Sequence, residues 1–251
     1  MKRIITILLI IVSTTLFGQD VKKVKESTNY GKATFYVLKS DMTTKHGEYS
    51  IKGYTGSELI VEGNYSNGKK DGIWTERYYQ KGRNLKSKGK YENDIQVGKW
   101  TFYDFKGEIV QEYDFDNNIL IMSKECRTDK EYDVVIEDKF AKSKLDCPPS
   151  YIGGYSFLIY ELNQKIMLSF NFPINEKGRT EIKINSDISF LLKKDGTIEN
   201  IQFSEPLENE KLKEFIKTQI SEKQGKWLVA ELNGSKLDSK MNISIKINIM
   251  Y

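Results

Sequence analysis

The chain has 251 residues and a mass of 29.1 kDa, which is enough for one large domain or two modest ones. Its 39 Lys and Arg residues against 35 Asp and Glu residues give a formal net charge of +4, which excludes a nucleic-acid-binding protein that works through bulk positive charge. A hydrophobic content of 39% with a mean hydropathy of −0.53 excludes an integral membrane protein, and one histidine with two cysteines leaves little material for a metal site.

Residues 1–18 have the organisation of a secretory signal peptide. Lys2 and Arg3 form a positive beginning, residues 4–17 are mostly apolar, and the small residue Gly18 follows. A membrane-spanning helix needs about 20 apolar residues, so we predict cleavage near Gly18 and a mature chain outside the cytoplasm. The alternative is a leader that is kept as an anchor.

After an N-terminal segment at residues 19–35, an internal repeat occupies residues 36–118. The stretch that ends in Gly72-Ile73-Trp74 recurs as the stretch that ends in Gly98-Lys99-Trp100, with Gly63 matching Gly89. Asn67-Gly68 within the first stretch is typical of a tight hairpin turn, and the aromatic residues favour strands. The repeat therefore predicts a row of β-hairpins that bury their aromatic faces only when they lie side by side.

These residues resemble MORN-type repeats, in the antitoxin-like variant found in exported bacterial proteins. The resemblance implies an elongated hairpin sheet that serves as a scaffold or a contact surface. Asp94 stands in the position of the turn glycine and Tyr49 in the position of the tryptophan, which predicts that these units are terminal. We expect the aromatic stripe to be mainly core, and we expect His46 to be solvated rather than a ligand.

Residues 119–147 lack the repeat and carry charges of both signs, which indicates a linker or an edge strand, with one short strand at 132–136. Cys126 and Cys147 are the two cysteines of the chain, and an oxidising compartment would allow them to form a disulfide. The alternative is a pair of unpaired structural thiols. Pro148-Pro149 predicts a domain boundary.

Residues 148–251 predict a second domain of mixed structure. Gly153 and Gly154 precede a helix, and apolar residues then alternate from Ile182 to Leu192 up to a hairpin turn at Asp195 and Gly196. A returning strand, a second helix and a final strand from Met241 complete the order. The predicted fold class is therefore mostly β plus α+β: an N-terminal β-hairpin repeat sheet and a C-terminal domain of two helices on a three-stranded antiparallel sheet.

This second domain resembles the TonB C-terminal domain of diderm bacterial envelope proteins. The residues that carry the resemblance are Tyr151-Ile152-Gly153-Gly154, Phe172-Pro173, Asp195-Gly196-Thr197-Ile198, the segment around Trp227, and Asn233-Gly234-Ser235. Val229 stands where the family has a proline. We expect Trp227 to be a core anchor.

In that family the domain holds an extended receptor peptide as an added strand, in the service of transmembrane transport. The resemblance implies a receiving strand that contains Ile243, Ile245, Ile247 and Ile249. It also implies a location in the periplasm or outer envelope and a partner such as an outer-membrane receptor segment. The alternative is an edge blocked by its neighbours or by a homodimer.

No motif of an enzyme is present: the chain lacks Gly-x-Ser-x-Gly, His-Glu-x-x-His, a P-loop and a dinucleotide fingerprint. We therefore predict no catalysis, no cofactor and no small-molecule substrate. Four prolines in the whole chain leave no spacer for transmitting force. The sequence favours a non-enzymatic envelope protein that binds protein partners. The alternative is a structural scaffold in which the repeat sheet is the working surface and the C-terminal domain mediates self-association.

Overall fold

A computed structural model of the protein describes residues 20–54, 58–79, 83–127, 129–169, 181–204, 209–223 and 225–250; at 127, 181–184 and 247–250 only the backbone is described. Over these residues the chain is mostly β, as the sequence predicts. A nine-stranded antiparallel sheet is followed by a five-stranded antiparallel sheet that carries two helices.

The nine strands of the first sheet follow one another in chain order, and each pairs with the next. This meander is the predicted row of hairpins. Its strands are β1 Val21–Thr28, β2 Gly31–Leu38, β3 Lys45–Gly53, β4 Leu59–Ser66, β5 Lys69–Arg77, β6 Leu85–Glu92, β7 Ile95–Tyr103, β8 Ile109–Asp114 and β9 Ile119–Ser123.

Two equivalent turns join β4 to β5 and β6 to β7. Asn67 and Gly68 both have positive φ, at 48° and 84°, and so do Asn93 and Asp94, at 53° and 71°. Two left-handed residues in succession match the right-handed twist of the paired strands. Asp94 takes the place of glycine because Asp tolerates this region, and its Oδ1 accepts a hydrogen bond of 2.7 Å from the backbone N–H of Lys70.

The sheet extends beyond the predicted repeats at both ends. β1 and most of β2 lie in the segment 19–35, and β9 lies in the predicted linker. β1 is an edge strand in which Lys22, Lys23 and Lys25 are exposed, and charged residues of this kind discourage pairing with another chain. Because of these lysines, β1 lacks the alternation of apolar and polar residues by which a strand is recognised in a sequence.

The second sheet has the strand order β11-β10-β18-β13-β14. It is two strands wider than the predicted three, because the charged segment after β9 supplies β10 and β11. The predicted strand at 132–136 is confirmed as β10, whose Val134 is fully buried. The strands after β9 are β10 Tyr132–Ile136, β11 Lys139–Ser143, β12 Ser150–Tyr151, β13 Glu181–Leu192, β14 Ile198–Phe203, β15 Trp227–Leu228, β16 Ala230–Leu232, β17 Ser235–Leu237 and β18 Ser239–Met250.

Two helices, α1 Gly154–Ser169 and α2 Glu210–Ser221, cover this sheet as predicted, and a short 3₁₀ helix spans Glu125–Arg127. Asn209 caps α2 through its side chain, which accepts a hydrogen bond from the N–H of Leu212. Trp227 is 6% exposed and packs edge-on against Tyr151 and Phe190, which confirms it as a core residue. Phe172-Pro173 lies outside the described residues. Neither described helix is long and apolar enough to cross a membrane.

Candidate functional site

The final strand, β18, has a neighbour along its whole length on one side only. β13 pairs with it from Ser239 to Met250, whereas β10 pairs with it only where Val134 meets Ser239. Beyond Ser239, no other described strand occupies the β10 side. Among the strands that the structure describes, β18 is therefore an inner strand at its start and an edge strand for the rest of its length.

The direction of the free backbone groups follows from two hydrogen bonds. The Asp238 C=O accepts a bond of 2.8 Å from the N–H of Val135 on the β10 side. The Ser244 C=O accepts a bond from the hydroxyl of Tyr155, which belongs to α1 rather than to β13. Backbone groups alternate in direction with a period of two in an antiparallel strand, so Asn242 and Lys246 also present their N–H and C=O groups outward.

The side chains of the predicted receiving strand do not face that edge. Ile243 and Ile245 are 3% and 1% exposed and belong to the core under the helices. Their side chains therefore help to form the core, and any strand that adds to β18 would pair with its backbone groups, so the receiving strand stays a prediction. The side chains of Ile247 and Ile249 lie outside the described residues.

A groove of about 270 Å³ lies beside the open edge of β18. Its wall includes Tyr132 of β10, Tyr155 of α1, Trp227 and Met241. The buried Nε1 of Trp227 has no hydrogen-bond partner among the described residues. Glu125 also lines the groove, and burial raises the pKa of its carboxyl against the effect of a hydrogen bond from the Tyr155 N–H.

The two cysteines lie next to this groove. The sulfur atoms of Cys126 and Cys147 are 2.24 Å apart, and the Cα atoms are 4.7 Å apart. The pair is at disulfide distance, as the sequence predicts. It joins the 3₁₀ helix that carries Glu125 to the segment that leads into β12, so the cross-link connects two walls of the groove.

The glycine and aspartate motifs of the second domain have structural roles. Gly153 and Gly154 have φ of 109° and 78°, and a Cβ on Gly153 would lie 2.9 Å from Phe157, so the bend into α1 requires glycine. At the β13–β14 turn, Gly196 has φ of 86°, and Asp195 accepts hydrogen bonds from the N–H and the hydroxyl of Thr197.

The repeat tryptophans occupy identical environments. Trp74 lies over Gly63 and Trp100 over Gly89, and a Cβ on either glycine would come within 2.3 Å of the indole. Each indole Nε1–H donates a bond of 3.1 Å to the carbonyl ten residues earlier, that of Asn64 or Lys90. Gly72 and Gly98, two residues before the tryptophans, have φ of 76° and 59° and allow the local bulge.

A larger cleft of about 670 Å³ lies between the aromatic face of the first sheet and α1, together with the residues that follow α2. Successive aromatic rings touch edge to face along this side of the sheet, from Tyr49 through Tyr65, Trp74 and Tyr91 to Trp100. The tryptophans are buried, as expected of core. The tyrosines are only half-buried and line the cleft.

Three of the charged residues that line the cleft, Lys70, Glu76 and Lys86, form a cluster beside this stripe. The Nζ of Lys86 is 2.5 Å from Oε2 of Glu76, and the Nζ of Lys70 is 3.8 Å from Oε1 of the same carboxylate. Burial opposes ionisation of Glu76, but the two ammonium groups outweigh it and hold its pKa below the usual value. Burial also opposes the charged form of Lys86, and Glu76 outweighs it, so the pKa of Lys86 is raised.

The sequence interpretation missed this charge cluster. Glu76 is two residues after Trp74 in β5, and side chains at this spacing face the same side of a strand. The sequence pattern that could have revealed the cluster is this carboxylate, which shares a strand face with a tryptophan predicted to be buried. Lys86 gave none, because a register irregularity between Ser87 and Leu85 lets the neighbouring residues Lys86 and Ser87 both be buried.

Specific contacts join the two sheets. The buried side chain of Gln111 in β8 donates to the Tyr151 carbonyl and accepts from the Gly153 N–H at 2.6 Å. Tyr78 of the first sheet contacts Tyr160 of α1 edge to face, with the ring centroids 5.0 Å apart. His46 makes its contact within the first sheet instead, where its Nδ1 accepts a hydrogen bond from the N–H of Asn67 in the neighbouring turn.

Comparison of the chain with protein-family models, with curated proteins and with solved structures finds no match. The resemblances to MORN-type repeats and to the TonB C-terminal domain therefore remain predictions from the sequence.

Proposed function

We propose that the protein is a non-enzymatic, exported envelope protein that binds an extended segment of a partner protein, which adds to β18 as a further strand. The observation that carries the proposal is the outward row of backbone groups on β18 beyond Ser239. An edge strand with free N–H and C=O groups is a template for strand addition. Export and an envelope location rest on the leader pattern of residues 1–18, which lie outside the described residues.

The groove beside β18 supports this proposal because it gives an added strand something to recognise. A segment paired with Asn242 and Ser244 would direct alternate side chains towards Tyr132, Tyr155 and Trp227. Backbone pairing would supply affinity, and the aromatic wall would select the side chains. The Tyr155 hydroxyl, which now donates to the Ser244 carbonyl, would give way to an N–H of the added strand.

The first experiment selects extended peptides from a displayed library on the protein comprising residues 19–251 and measures their affinity by calorimetry. Lys246→Pro removes one outward N–H but no hydrogen bond to β13, and proline is tolerated at strand edges. We expect this variant to weaken the selected peptides about tenfold, which corresponds to one lost hydrogen bond to a desolvated partner. Lys246→Ala keeps the N–H and is the matched control. Equal loss in both variants would contradict strand addition.

The second experiment measures amide hydrogen exchange with and without the selected peptide. The amides of Asn242, Ser244 and Lys246 are expected to exchange more slowly in the complex, because each would gain a carbonyl partner. Light scattering of the free protein tests the alternative. A stable dimer in which these three amides are already protected without peptide would refute the peptide-binding role and favour the structural scaffold.

A further inference from the structure

A row of amino groups lies along the stripe of half-buried tyrosines. Lys70 and Lys226 line the large cleft, and Lys45 lies over two tyrosine rings that line it. The Nζ of Lys45 lies 5.3 and 5.4 Å from the ring centroids of Tyr49 and Tyr65. The Nζ of Lys70 lies 4.2 and 4.8 Å from those of Trp74 and Tyr91. The two lysines occupy equivalent positions of successive repeats, four residues before the aromatic residue that follows the glycine.

The third repeat has Gln96 at this position, and the second domain supplies the amino group there. The Nζ of Lys226 lies 3.5 Å from Oε1 of Gln96, and both residues line the cleft. Three amino groups thus follow one another along the stripe at successive hairpins. One of them comes from the opposite side of the cleft, so the row exists only when the two sheets are packed together.

This row has too few carboxylates to neutralise it. Lys70 shares Glu76 with Lys86, and the Lys86 contact is much the shorter of the two, at 2.5 Å against 3.8 Å. Burial lowers the pKa of Lys70, as expected for an ammonium group whose nearest carboxylate, that of Glu76, lies closer to another lysine. Among the described residues, no carboxylate lies within salt-bridge distance of Lys45 or Lys226.

The spacing of the row matches one form of extended chain. Equivalent positions of successive hairpins are two strands apart, which is about 9.6 Å across a sheet. A polyproline II helix has three residues per turn and rises about 3.1 Å per residue, so every third side chain repeats after about 9.3 Å. Peptides in this conformation dock in grooves lined by aromatic side chains. An α-helix repeats a face after about 5.4 Å and does not fit the row.

We propose that the cleft is a second binding site, which takes an acidic peptide in the polyproline II conformation with a carboxylate at every third residue. The peptide crosses the strands at a right angle. Its carboxylates pair with the amino groups of Lys45, Lys70 and Lys226, and the intervening residues lie on Tyr49, Tyr65 and Tyr91. This site is separate from the open edge of β18 and does not depend on strand addition.

The test is fluorescence anisotropy with a labelled nine-residue peptide of three Glu-Pro-Pro units. A peptide of the same composition with its three glutamates adjacent is the spacing control, and three Lys-Pro-Pro units are the charge control. We expect the first peptide to bind at least about tenfold more tightly than either control, with an affinity that falls as salt is added.

Lys70→Gln is expected to weaken the periodic peptide about tenfold. Lys88→Gln is the matched control. Lys88 is an exposed lysine of β6, and its neighbours Ser87 and Gly89 lie on the aromatic face, so the Lys88 side chain points to the opposite face of the sheet. Circular dichroism checks that both variants fold. Equal affinity for the periodic and clustered peptides, an unchanged affinity in Lys70→Gln, or binding of an acidic polysaccharide in place of the peptide would overturn the proposal.

Discussion

The ion pair between Glu76 and Lys86 offers the sharpest test of how the first sheet and the helices are held together. Glu76→Gln leaves the ammonium group of Lys86 without its close carboxylate, in a position where that side chain is 11% exposed and lies over the rings of Phe157 and Tyr160. Breaking a buried pair by removing one partner costs about 3–5 kcal/mol. Since the Glu76 side chain is 21% exposed, we expect the lower end, about 3 kcal/mol.

Urea unfolding followed by tryptophan fluorescence measures this loss of stability. In thermal unfolding, the Tm of the variant should fall by roughly 6–12 °C for a chain of this size. Glu92→Gln is the matched control, because Glu92 pairs with Lys90 on an exposed part of the sheet and its loss should fall within experimental error. The double variant Glu76→Leu with Lys86→Met should recover much of the stability. A Glu76→Gln protein as stable as the Glu92→Gln protein would refute the reasoning.

The same pair predicts the dependence of stability on pH. The pKa of Glu76 is lower in the folded protein than its usual value of 4.5, so the unfolded chain binds more protons as acid is added. The contribution of the pair is therefore fully present above about pH 4.5 and is lost as the pH falls through the folded pKa. Glu76→Gln should flatten the acid limb of the stability curve, and an unchanged acid limb would contradict the assignment.

Two further predictions concern packing and cross-linking. Gly89→Ala should destabilise the protein by about 2 kcal/mol in urea unfolding, because its Cβ would lie 2.2 Å from the ring of Trp100; Lys88→Ala is its neighbouring control, and equal losses in the two would count against the close contact. Replacing Cys126 and Cys147 by serine should cost about 3 kcal/mol in the chain-entropy model, measured as the fall in Tm against the oxidised parent. The parent with its disulfide reduced should match the double variant, and a parent insensitive to reductant would contradict the cross-link.

The elements with strong local patterns are those that the sequence predicted well. The turns at Asn67-Gly68 and Asn93-Asp94, the helix over Leu212 to Ile220 and the long alternating strand before Asp195 all depend on residues close together in the chain. Each pattern has its own period or turn chemistry, so no distant contact is needed to recognise it. The prediction of a mostly β chain with a mixed second domain followed from these elements.

The edge strands were harder to predict. β1 and β11 are rich in lysine, because one side of an edge strand faces solvent and charge there discourages association. Their sequences consequently look like linkers. These charged strands join their sheets by pairing with more hydrophobic neighbours. Their own composition gives no sign of that pairing, so the number of strands in each sheet could not be predicted from it.

The sequence by itself determined the row of hairpins and the order of the main elements in the second domain, and it left the two cysteines either bridged or unpaired until the structure placed them at disulfide distance. Only the tertiary structure decided that Ile243 and Ile245 face the core and that β10 covers just the beginning of β18. It also brought Lys226 to Gln96 and Gln111 to Gly153. These contacts join residues between 42 and 130 positions apart, and they follow from how two separately patterned surfaces pack, which no local period encodes.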